Sequence, residues 1–116
     1  MSKDAMDPIH GWVVIAAYEM GGLMRGVIEH VRTAGYPIVV VDNGSSDATF
    51  DEAVLGGALV LRQNTHGDSD DALQIGVRFA RLRGAPHVYT FVLDGNEESR
   101  HRGSALREAE YVPSFA

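Results

Sequence analysis

"VVVDNGSSDATF", residues 39–50, is the stretch on which the fold turns. With Ile38 before it, it opens as an apolar, β-branched run ending at Asp42, the pattern of a strand covered on both faces. Asn43 and Gly44 then supply a tight turn, and Ser45 or Ser46 is placed to cap a helix whose positive end Asp47, Asp51 and Glu52 favour. Asp42 is of another kind. A carboxylate that terminates an apolar strand must be solvated, hydrogen-bonded or matched to a cation, because burying it bare is very costly. Asp42 is therefore a candidate binding residue.

Working outward, "GWVVIAAY" (11–18) carries the same buried-strand signature. In "GGLMRGVIEHVRTAGYP" (21–37), Leu23, Val27 and Val31 fall four apart with Met24 and Ile28 beside them, one apolar helical stripe that Gly35 and Pro37 stop. "ALVLRQ" (58–63) is a third strand and "NTHGDSDD" (64–71) a loop. "DALQIGVRFARLRG" (71–84) reads as a helix with Leu73, Val77 and Ala80 inward and Arg78, Arg81 and Arg83 towards its negative end. "HVYTFVLD" (87–94) is the fourth strand, "GNEESRHRG" (95–103) a loop, and "SALREAEYV" (104–112) a short terminal helix.

This β-α-β-α-β-α-β order predicts an α/β three-layer sandwich, a mostly parallel sheet with helices on both faces. The 116 residues read as one domain, with 1–10 an N-terminal extension and 103–116 a short tail or helix. Such sheets bind ligands beyond the carboxyl ends of their strands, where the strand order reverses. Tyr18, Asp42 and Asp94 each end a strand and are expected to converge on that crevice.

Composition narrows the function. A hydrophobic share of 45% with 22% charged residues is that of an ordinary globular domain. The formal charge of -6 disfavours binding to a nucleic acid backbone. The lack of cysteine removes disulfides, thiolate metal sites and a cysteine nucleophile. No transmembrane segment and no signal peptide are expected, and a cytoplasmic location is the default. There is no GxxxxGK(S/T) loop and no GxGxxG after the first strand, so ATPase-type phosphate binding and dinucleotide binding drop out. The serines lack a G-x-S-x-G elbow. The five histidines show no metal-ligand spacing, and only His66 and His101 fall in loops on the ligand side. Asp94 is followed by Gly95, Asn96, Glu97 and Glu98; Mg²⁺ commonly takes one or two carboxylates plus substrate phosphates, which this acidic rim suits.

The segment from Val13 to Ala53 resembles the start of the family 2 glycosyltransferases, which have the GT-A fold. The family's "AYN" strand end is matched by "AAYEM" (16–20), its "VVDDGS" or "VVDNGS" followed by "SDGT" by "VVDNGSSDAT" (40–49), and its "hhhLDxD" strand end by "YTFVLDGN" (89–96). "NTHGDSDDALQIGV" (64–77) is similar to the family's N-x-G helix opening. The similarity covers residues 11 to 98, the nucleotide-sugar half of a usual catalytic domain. The resemblance implies a Rossmann-like GT-A sheet of order 3-2-1-4. It also implies that Ala17 and Tyr18 flank the nucleobase, that Asp42 and Asn43 hold base or ribose, and that Asp94 binds metal and ribose. A divalent cation, Mg²⁺ or Mn²⁺, would bridge Asp94 and Asn96 to the diphosphate of a nucleotide-diphosphate sugar, and the sugar would transfer with inversion to an acceptor.

The departures are specific. "DGN" stands in place of DxD, so Asn96 offers an uncharged carbonyl oxygen where a carboxylate is usual. Asp68, Asp70 and Asp71 make the loop near Gly67 acidic. Candidate bases are confined to Glu97, Glu98, Glu108 and Glu110, and a homo-oligomer or partner would complete the acceptor side. The alternative is a catalytically degenerate, non-enzymatic nucleotide-binding or interaction module. A nucleotidyltransferase would need a basic glycine-rich loop, and "YEMGGLMRG" offers only Arg25.

Overall fold

The computed structural model describes residues 11–94 and 107–108. Four parallel strands, β1 (Gly11–Tyr18), β2 (Ile38–Asp42), β3 (Leu59–Arg62) and β4 (His87–Asp94), alternate with helices α1 (Gly21–Thr33), α2 (Thr49–Leu55) and α3 (Ser69–Leu82). Their order in the sheet is 3-2-1-4, as expected for a Rossmann-like three-layer sandwich. The strands contain the continuous apolar runs because both faces are covered: Val13, Ile15, Val40 and Tyr89 pack with α1 and α2, while Val14, Val39, Val41 and Val88 pack with α3.

Each interface has a physical anchor. Met24 and Ile28 of α1 have no exposed surface, and burying two such side chains contributes about 1.5–3 kcal/mol each. On the other face, Gly76 lets α3 approach the sheet closely: a Cβ there would sit 2.4 Å from Cγ1 of Val14. Central strand β1 thus lies between a tight α3 interface and a methionine-filled α1 interface.

Four sequence expectations are corrected. Leu23 is 59% exposed, because α1 turns Met24 and Ile28 to the sheet with Val27 and Val31 at the margin. Helix α3 begins at Ser69, inside the expected loop, since the Asp68 carboxylate accepts the N–H groups of Asp70 and Asp71 and so starts the helix early. Neither Ser45 nor Ser46 caps α2; Ala48 occupies the cap without a side-chain bond, and Asp47 accepts the Thr49 N–H. Arg107 and Glu108, expected within a terminal helix, instead form β5, antiparallel to Thr90 and Tyr89. Pairing there satisfies backbone groups on the open side of β4, which an isolated two-turn helix would leave unmatched.

Candidate functional site

The strand order reverses between β1 and β4: β2 and β3 lie to one side of β1, and β4 to the other. Tyr18 and Asp94, the last residues of these two strands, are direct partners in the parallel register. Alternation along the strands puts both side chains on the α3 face, since Ala16 and Val92, two residues earlier, pack there. Asp94 is half-buried. Tyr18 stacks on His66, which comes from the loop between β3 and α3, with ring centroids 3.7 Å apart and planes 29° from parallel.

Asp42 also ends its strand, but on the opposite face. It follows Val40 by two residues, on the side of α1 and α2, and has no exposed surface. Oδ1 accepts the Ser45 N–H at 3.1 Å, and Oδ2 faces Arg62 Nε at 3.6 Å, an ion pair longer than a hydrogen bond. The Arg62 guanidinium lies 4.8 Å over the Phe50 ring, which fixes it between helix α2 and the carboxylate. The three strand-end residues therefore share one end of the sheet but not one face.

The remaining polar residues of "VVDNGSSDAT" make internal bonds. Asn43 is buried; its amide donates to the Gly67 carbonyl at 2.8 Å and accepts the Gly67 N–H at 3.1 Å, tying the β2 end to the β3–α3 loop. Three successive N–H groups at the start of α1 are taken by this segment: Glu19 by Ser45 Oγ at 2.9 Å, Met20 by Thr49 Oγ1 at 2.8 Å, and Gly21 by Asp47 Oδ2 at 3.1 Å. Helix α1 is thus capped from a neighbouring loop, which meets the donors a helix cannot satisfy itself. In return the Glu19 carboxylate accepts the Ser46 N–H at 2.5 Å and its hydroxyl at 3.0 Å. Glu19 holds a left-handed φ of 55° to do so.

Burial opposes ionisation of Asp47, but hydrogen bonds from the Thr49 hydroxyl and from the Thr49 and Gly21 N–H groups outweigh it and hold its pKa below the ordinary aspartate value. The Thr49 hydroxyl donates to Asp47 Oδ1 while accepting from Met20, so Asp47 is the acceptor at the centre of this clamp.

Of the residues expected to contact a ligand, Tyr18 and Asp94 lie together at the reversal point. Ala17 is buried against α1, and its carbonyl accepts the Asn43 N–H at 2.8 Å. Asn96, Glu97, Glu98 and Glu110 lie outside the described residues, and Glu108 is in β5. No group of three His, Cys, Asp or Glu that could hold a metal occurs among the described residues. The sequence alone does not single out Arg62; its signal is its place as the first charge after an apolar run, and the structure sets it in register with Asp42. For His66 the signal was its loop, which joins β3 to α3 on the Tyr18 face.

Among the described residues no helix is long and apolar enough to cross a membrane. No family model matches the chain. Over 90 residues, 77% of its length, the chain is 30% identical to an uncharacterized protein of Methanocaldococcus jannaschii, and it spans 37% of that protein's length.

Proposed function

We propose that the chain is the nucleotide-sugar-binding half of a glycosyltransferase-like protein of the family 2 type, taking a nucleotide-diphosphate sugar with a divalent metal at the carboxyl ends of its strands. The observation that carries this reading is the Tyr18–Asp94 cross-strand pair at the reversal point, beside the β2 end that bears "VVDNGSSDAT". Tyr18 offers an aromatic face to a nucleobase. Asp94 offers a half-buried carboxylate, and one carboxylate is enough for Mg²⁺ or Mn²⁺ when phosphates complete the shell. Bound there, the metal would neutralise the diphosphate as it departs from the sugar. Asp42, Arg62 and Asn43 act beneath the site, holding the β2 end and the β3–α3 loop in register. The acceptor, its base and a second subunit that would complete the site belong to the proposal for the whole protein.

A second reading, a non-catalytic nucleotide-binding or interaction module, is favoured by one observation: Asp42 and Asn43 are both buried and engaged with protein groups. Isothermal titration with UDP and GDP, each with and without Mn²⁺, tests the nucleotide site, and turnover of a UDP- or GDP-sugar separates a transferase from a non-catalytic nucleotide-binding module. Metal-dependent binding of a nucleoside diphosphate supports the site, and silence with all ligands overturns the first reading.

A further inference from the structure

The backbone beneath His66 is fixed from two sides. Asn43 bonds Gly67 in both directions, and Gly44 packs so close that a Cβ on it would lie 2.4 Å from the His66 nitrogen. The imidazole is held more lightly. Its Nδ1 lies 3.1 Å from the Asn43 carbonyl, an acceptor only, so Nδ1 carries the proton. It also stacks on the Tyr18 ring, and the residue is exposed.

A planar ring placed between two others needs them roughly 7 Å apart, two contacts of about 3.5 Å each. The observed 3.7 Å leaves no such room, so this face of Tyr18 takes either His66 or a ligand ring.

We propose that His66 is a displaceable cover on Tyr18: its ring occupies the aromatic face and gives it up by side-chain rotation when a nucleobase stacks there. This rests on the nucleotide reading above. Rotation is the available route because the backbone at 65–67 is clamped whereas the ring has one hydrogen bond among the described residues.

The test is titration of wild type and His66→Ala with UDP in Mg²⁺, together with the imidazole resonances of the wild-type protein, assigned by their loss in the variant. The expected result is about three- to tenfold tighter binding by His66→Ala, the scale of one aromatic stack. That gain should vanish in a Tyr18→Leu background, and the His66 ring protons should leave the ring current of Tyr18 as UDP saturates. Equal or weaker binding by His66→Ala with unmoved His66 resonances overturns the cover and leaves the nucleotide site standing. No binding by either chain overturns both.

Discussion

Arg62 Nε stands 3.6 Å from Oδ2 of Asp42, a carboxylate with no exposed surface, across the β2–β3 pair. That oxygen has no hydrogen-bond partner among the described residues, so the guanidinium is its compensation. Half of the Arg62 side chain is exposed, which keeps the pair weaker than a fully buried one.

Arg62→Met keeps an unbranched stem beside Phe50 and removes the charge. We expect a loss of about 2 kcal/mol, because a buried carboxylate oxygen is left uncompensated. Urea denaturation reads this as a lower midpoint at unchanged slope. Adding Asp42→Asn to Arg62→Met should recover part of the loss, and strict additivity of the two single changes would refute the pairing.

Gly44 has φ +81°, and a Cβ there would meet the Thr65 carbonyl carbon and the His66 nitrogen, both at 2.4 Å. Backbone atoms cannot turn aside as a long side chain can. Gly44→Ala is therefore expected to cost about 2–4 kcal/mol, from left-handed strain and overpacking together. A thermal midpoint within a degree of wild type would show that the loop had not been clamped.

The lowered pKa of Asp47 makes a statement about acid stability. Its folded-state pKa lies below the unfolded value, so the ionised clamp stabilises the fold above the ordinary aspartate range, and that stabilisation disappears as pH falls through the depressed value. Asp47 is largely exposed, and solvent screening limits the effect. Asp47→Asn should lower stability at neutral pH and flatten the decline below about pH 4. Parallel pH profiles for the two proteins, measured by chemical denaturation, would remove Asp47 as the source.

Asp94 and Asp42 should separate in binding experiments. Asp94→Ala is expected to abolish the metal dependence of UDP binding. Asp42→Ala, by contrast, removes a buried group under the site and should weaken affinity severalfold while metal dependence survives. Titrations with and without Mn²⁺, below the thermal midpoint of each variant, make the comparison. Loss of metal dependence in Asp42→Ala alone would reverse the assignment.

The sheet was legible in the sequence because both-face burial writes itself as unbroken apolar runs. Residues 11–18, 38–42 and 87–94 were delimited to the residue, since polar or glycine-containing segments bound each run. Helix boundaries were less legible at α3, where the acidic residues of a first turn look like loop. Leu23 misled for a related reason: adjacent apolar positions fit a helical stripe equally well until the sheet chooses which ones it covers.

By itself the sequence determined strand identity, the parallel sense of the strands and the polar character of the strand ends, all of which follow from local pattern and short connections, whereas the order 3-2-1-4 was an implication of the family resemblance. Only the tertiary structure decided how those polar residues divide. Strand alternation sends Asp42 towards α1 and α2 and Tyr18 with Asp94 towards α3, and the "NGSSDAT" acceptors reach helix α1 from about 26 to 29 residues away in the chain. Contacts at that separation depend on how two loops meet above the sheet, which neither periodicity nor propensity encodes.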